Sequence, residues 1–229
     1  MTTLHYIFDP LCGWCYGAAP LVEAARAVPG LAVVFHGGGM LTGRNRRPIT
    51  SQWRDYVMPH DRRIAELTGQ PFGDAYFEGL LRDHTAVMDS EPPITAVLAA
   101  EAMAGRGLDM IHALQQAHYV QGRRIANTTV LHEVATELGL EGEAFDAHFA
   151  RLSGPATHEH IDAGRHLLDR ADGRGFPTFV LEDARGALTT VDIGAWLGRP
   201  AELAQKLAGC CVNSAGEQET VVASAVSTR

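Results

Sequence analysis

Apolar and polar positions change rhythm twice along this chain. Leu4-His5-Tyr6-Ile7-Phe8 is a short, mostly apolar run and reads as a buried strand. Cys15 to Val28 is rich in Ala, Leu, Glu and Arg and reads as a helix. Pro20 lies inside it, removes one backbone donor and predicts a kink. Pro29-Gly30 ends the helix, Leu31 to His36 is a second strand, and Gly37-Gly38-Gly39 breaks the pattern. Strand, helix, strand is by default a right-handed parallel crossover.

From about Leu41 to Arg170 the period-2 rhythm disappears and helical spacing takes over. The predicted helices are Ile49–Val57, Asp61–Leu67, Ala75–Arg82, Ile94–Ala104, Met110–Val120, Val130–Leu138, Ala144–Leu152 and His158–Asp172. Pro59 separates the first two, and Pro92-Pro93 opens a later one where a missing N–H costs little. Asp109 and Thr128-Thr129 are candidate N-caps; Gly105 and Gly139 are candidate C-terminal stops.

Strands then return. Pro177-Thr178-Phe179-Val180-Leu181 is one, Asp183 to Gly186 is a hairpin turn, and Ala187 to Val191 is its partner. A last helix runs from Pro200 to Leu207, and the small, polar tail 213–229 reads as flexible. The order βαβ, helical block, ββα resembles a thioredoxin fold, an α/β architecture with a mixed central sheet, interrupted by a large all-helical insertion. The expected division is residues 1–42 and 160–212 for the discontinuous sheet domain and 43–159 for a helical lid beside its active site.

Composition narrows the function. A formal charge of −8 disfavours nucleic acid or an anionic membrane surface as partner. The first residues lack a basic and then apolar leader, and no apolar run reaches the ~20 residues of a membrane span, so a cytoplasmic location is expected. Four cysteines in 229 residues are too few for a disulfide scaffold. Oligomeric state is open; a homodimer is compatible with the sequence.

Two of those cysteines carry the candidate chemistry. Cys12-Gly13-Trp14-Cys15 lies between the first strand and the first helix. Cysteines three apart at a helix start can bridge without distorting the backbone, and helix N–H groups stabilise a thiolate. Cys12 is the candidate nucleophile and Cys15 the resolving thiol, so the implied cofactor is a redox-active disulfide rather than a bound metal or nucleotide. A zinc site would need a second ligand pair at suitable spacing. Cys210 and Cys211 are adjacent and read as small apolar residues before they read as an auxiliary thiol relay to the main site; a bridge between Cα atoms about 3.8 Å apart would be strained.

These residues resemble the DsbA-like thioredoxin superfamily, and within it the FrnE-like branch of protein-disulfide oxidoreductases and isomerases. Phe8-Asp9-Pro10-Leu11-Cys12-Gly13-Trp14-Cys15-Tyr16-Gly17 carries most of the likeness; Pro20 and Gly175-Phe176-Pro177-Thr178-Phe179 carry the rest. The resemblance implies a cis proline at Pro177 facing the dithiol. It implies substrate contact at Phe176, Pro177 and Thr178, and disulfide-containing proteins or small thiols as substrates, with glutathione a candidate co-substrate. Trp14 is a candidate apolar contact for substrate. The superfamily's buried acid, six residues before the first cysteine, is replaced here by Tyr6. Asp9 and His36 are the candidates for proton transfer in its place; each also reads as a structural residue, a turn former and a strand-end histidine. Met40, Trp53 and Tyr56 read as core of the helical block before they read as groove lining. Kappa-class glutathione transferases and 2-hydroxychromene-2-carboxylate isomerases share the split fold but usually carry serine at the first position, against Cys12 here. A non-catalytic peptide-binding module is the other alternative.

Overall fold

The computed structural model describes residues 2–211. The expectation for the tail 213–229 therefore lies outside the described residues. β1 (Thr2–Phe8) pairs in parallel with β2 (Leu31–Gly37). β5 (Thr178–Glu182) pairs antiparallel with β1 on its other side, and β6 (Leu188–Val191) antiparallel with β5. The order β2-β1-β5-β6 is a mixed sheet, as the element order predicts. The predicted turn joins β5 and β6: Gly186 sits at φ 80°, and the Asp183 N–H donates to the Ala187 carbonyl over 3.1 Å.

The crossover between β1 and β2 holds two helices rather than one kinked helix. α1 (Gly13–Gly17) ends at Ala18, and α2 (Ala19–Arg26) starts with Pro20 in its first turn. The proline falls where its missing donor is not needed, so it starts a helix instead of bending one.

Between β2 and β5 the two-residue strands β3 (Arg47–Pro48) and β4 (Val87–Met88) form a small ladder. α3 runs unbroken over Ser51–Thr68 and merges two predicted helices. Pro59 lies within it on the exposed side, so the carbonyl it leaves unpaired meets solvent. Thr50 caps α3, its Oγ1 accepting the Trp53 N–H over 3.1 Å. The segment Ala75–Arg82 is a π-turn followed by a short 3₁₀ turn, not the predicted α-helix. α4 (Glu91–Ala104), α5 (Gly107–Tyr119), α6 (Thr128–Glu137), α7 (Gly142–Leu152) and α8 (Pro155–Arg170) follow. The cap of α6 is Asn127, and Asp109 lies in the first turn of α5 bonded to Arg106. After β6, α9 spans 200–211.

Side-chain parity gives the sheet two distinct faces. Leu4, Tyr6, Phe8 and Phe179 point to one, where a single apolar cluster extends through α1 and α2 to Met110, Leu114, Leu131 and Phe145. The helices between β2 and β5 thus share one core with the sheet. Full burial of such side chains contributes about 1.5–3 kcal/mol each. Ile7 and Val180 point to the other face, against Leu167 of α8.

Candidate active site

The loop after β1 places the two thiols. The Cys12 N–H donates to the Asp9 carbonyl over 3.2 Å, closing a turn. Cys12 is extended, at φ −96° and ψ 114°, and caps α1. Its carbonyl accepts the N–H groups of Cys15 (3.0 Å) and Tyr16 (3.1 Å). Both thiols are free. Cys12 keeps 8% exposure and Cys15 has none. Burial pushes the Cys15 thiol well above its ordinary pKa, and the neighbouring Cys12 sulfur adds to this. The Asp9 N–H donates to Cys15 Sγ over 3.4 Å. One sulfur is thus enclosed and the other reachable.

The Phe176–Pro177 peptide is cis, and the Cys12 thiol donates to the Phe176 carbonyl over 3.3 Å. Two segments far apart in sequence meet at this contact. The Phe176 ring lies over Gly38, where any Cβ would overlap it. That close approach explains the glycine just after β2. Thr178 turns inward: it is 8% exposed and its hydroxyl donates to the Gly175 carbonyl over 2.8 Å.

An open cavity of about 820 Å³ begins at Cys12. Gly13, Trp14 and Met40 line it beside the thiols, and Trp53, Tyr56 and Asp61 of α3 also line it. Met40, Trp53 and Tyr56 line the groove; Met40 and Trp53 also pack against the core, whereas Tyr56 is 62% exposed. Arg47 stacks on the Trp53 ring at 5.2 Å from its centroid.

Two aspartates flank the thiols. Asp9 is fully buried, and its Oδ1 accepts from the Leu11 N–H and the Ser90 hydroxyl, both at 2.9 Å. Its Oδ2 accepts the Met40 N–H over 2.6 Å. Burial raises its pKa to about 6, and these three donors oppose the rise. Asp9 ties the thiol loop, the chain after β2 and the start of α4 together.

Asp61 escaped the sequence reading. It is 4% exposed on α3, and its Oδ1 would lie 2.5 Å from a Cβ placed on Gly13. Its Oδ2 accepts the Tyr76 hydroxyl over 2.8 Å. Burial raises its pKa to about 7 against that hydrogen bond. The signal was an acid on a buried stripe: Val57, Asp61, Ile64 and Thr68 share one side of α3, and Ile64 and Thr68 press on Gly17.

His36 is not brought to the thiols. It pairs in register with Ile7 on the sheet face opposite Tyr6. Its Nε2 lies 2.9 Å from His5 Nδ1, and His5 Nε2 lies 2.7 Å from Glu182 Oε2. Burial, with His5 and His160 nearby, lowers its pKa to about 4. Cys210 and Cys211 are half-buried on α9.

A family model, the DSBA-like thioredoxin domain, matches residues 3–199. The chain belongs to this family. It is a DsbA-like thiol-disulfide oxidoreductase, and its substrates are thiols and disulfides. The cytosolic disulfide reductase DsbM from Pseudomonas aeruginosa is 54% identical, with a TM-score of 0.85, over 90% of this chain and 96% of that one. DsbM with GSH superposes with a TM-score of 0.83 at 52% identity over 90% and 96% of the two chains. A candidate protein disulfide isomerase from Nitrosomonas europaea is 26% identical, with a TM-score of 0.73, over 95% and 98%. No curated protein matches. Among the described residues no helix is long and apolar enough to cross a membrane.

Proposed function

We propose that Cys12 and Cys15 are the exchanging pair and that the protein is a cytoplasmic disulfide reductase that uses glutathione. Cys12 attacks a substrate disulfide as the thiolate, giving a mixed disulfide and one released thiol. Cys15 then attacks the Cys12 sulfur and releases the second thiol, leaving the Cys12–Cys15 disulfide. Two glutathione thiols return the pair to the dithiol and leave as glutathione disulfide. The observation that carries this reading is the exposure contrast: Cys12 opens onto the cavity beside the Phe176 carbonyl, whereas Cys15 is sealed beneath it. An incoming disulfide therefore meets Cys12 first, and Cys15 can be reached only from within the protein.

Trp14 and the Phe176–Pro177 loop flank the attacking sulfur and hold the substrate chain, while Thr178 braces that loop from behind. The likeness to DsbM, a cytosolic disulfide reductase whose structure with GSH is known, supports the direction, the compartment and the co-substrate. Trapping tests the assignment. Cys15→Ser, incubated with glutathione disulfide, should gain one glutathione by intact mass, located on Cys12 by peptide mapping. Adduct formation only at Cys210 or Cys211 would contradict it.

A further inference from the structure

The reductase reading leaves one proton without a source. When Cys12 displaces an alkyl thiolate, the departing sulfur has an ordinary pKa of about 8.5 and leaves faster if it is protonated as it departs. Tyr6 stands where an acid from β1 would stand, and its hydroxyl donates to the Cys15 carbonyl over 3.3 Å. Both carboxylate oxygens of Asp9 are occupied by Leu11, Met40 and Ser90. His36 is on the far face of the sheet.

Asp61 is the buried acid that borders the cavity beside the thiol loop. It lines the same cavity as Cys12, packs against Gly13 of the Cys-Gly-Trp-Cys loop, and accepts a hydrogen bond from the Tyr76 hydroxyl. Any larger residue at position 13 would strike its carboxylate. From the packing of α3 on α1 we infer that Asp61 is the proton donor to the substrate sulfur displaced when Cys12 attacks the disulfide, and the proton acceptor in the reverse direction. The inference rests on Cys12 being the exchanging thiol.

The step balances. The Cys12 thiolate forms a bond to one substrate sulfur, the substrate S–S bond breaks, and its electron pair goes to the other sulfur. That sulfur takes the Asp61 proton and leaves as a thiol. In the second step the Cys15 proton ends on the second departing sulfur as the Cys12–Cys15 bond forms. Two electrons pass from the dithiol to the substrate, and Asp61 is left as a carboxylate that regains its proton from solvent.

Burial sets Asp61 to titrate near pH 7, where both its forms are populated. The titratable and charged groups around it are Tyr76 from the π-turn, Tyr119 and His118 of α5, Cys12 of the thiol loop, and His60 and Arg47 on the cavity wall. Tyr76 and Tyr119 stay neutral, their pKa values raised by burial, and His118 is held neutral by burial.

The test compares two leaving groups. Reduced wild type and Asp61→Asn are mixed by stopped flow with glutathione disulfide and with an activated nitroaryl disulfide, whose thiolate leaves without protonation. With glutathione disulfide, Asp61→Asn should be slower by about tenfold or more at pH 6. The wild-type to variant rate ratio should fall toward one as pH rises through about 7. With the nitroaryl disulfide the loss should be far smaller. Equal losses with both reagents would make Asp61 a packing residue and overturn the inference, as would no loss with glutathione disulfide. Tyr76→Phe gives a second reading, because losing the hydrogen bond that opposes Asp61 protonation moves the inflection upward. An unmoved inflection would overturn the inference even if Asp61→Asn folds poorly. Wild type that reacts with neither disulfide would instead remove the reductase reading itself.

Discussion

Asp9 and Asp61 are the same side chain in two differently built walls of one site. Both are buried, at 0% and 4% exposure, and burial raises both, to about 6 and about 7. They differ in how many donors reach them. Asp9 accepts from two backbone N–H groups and a serine hydroxyl and thereby fixes three chain segments. Asp61 accepts from one tyrosine hydroxyl and borders the cavity. Hydrogen-bond number separates a carboxylate that holds structure from one available to exchange a proton.

The largest effect expected is on stability at the first wall. Asp9→Ala leaves the Leu11 and Met40 N–H groups and the Ser90 hydroxyl without their acceptor, and should cost about 3 kcal/mol in urea unfolding at pH 7. A loss below about 1 kcal/mol would erase the contrast between the walls. Asp61→Asn should behave oppositely. Its folded pKa lies above that of the unfolded chain, so the native state binds the extra proton. That contribution is complete below about pH 4 and is lost as pH rises through about 7. Relative to wild type, the neutral variant should therefore gain stability of about 1–3 kcal/mol between pH 4 and 8, while losing exchange rate. Unfolding curves across that range that stay parallel would contradict a buried, titrating Asp61.

The smallest effect is expected across the sheet. His36 is neutral in the fold because burial lowers its pKa to about 4, so its contribution is present at neutral pH and is lost as pH falls through about 6.5 toward 4. His36→Gln should flatten the acid limb of the stability profile and leave the rate with glutathione disulfide within about twofold. A tenfold loss of rate would place a functional link through the sheet.

Much of this site was legible in residue order. The strand–Cys-x-x-Cys–helix junction and the Phe176-Pro177 segment are local patterns, and local chemistry forms them. The parity that removes His36 was also legible: once β1 and β2 pair in register, Tyr6 and Phe35 share one face and Ile7 and His36 the other. Asp61 is legible in sequence only as an acid on a buried helix stripe, and its place at the site comes from tertiary packing. Pro59 beside it suggested a break between two helices, yet an exposed proline was accommodated and α3 ran on. Its contact with Gly13 joins positions 48 residues apart in sequence through packing of α3 on α1. The roles of Tyr76 and Ser90 likewise follow from tertiary contacts that no spacing rule encodes.

The central claim is that Cys12 and Cys15 cycle between dithiol and disulfide as one two-electron couple. Equilibrating the protein against graded ratios of reduced to oxidised glutathione, then trapping free thiols by alkylation and mass mapping, measures this directly. A single transition shared by Cys12 and Cys15 is expected at about −270 mV, as for a thioredoxin-like reductase, and should be lost in Cys15→Ser. A transition near about −120 mV would contradict the reductase direction, and no shared transition at Cys12 and Cys15 would contradict the claim itself.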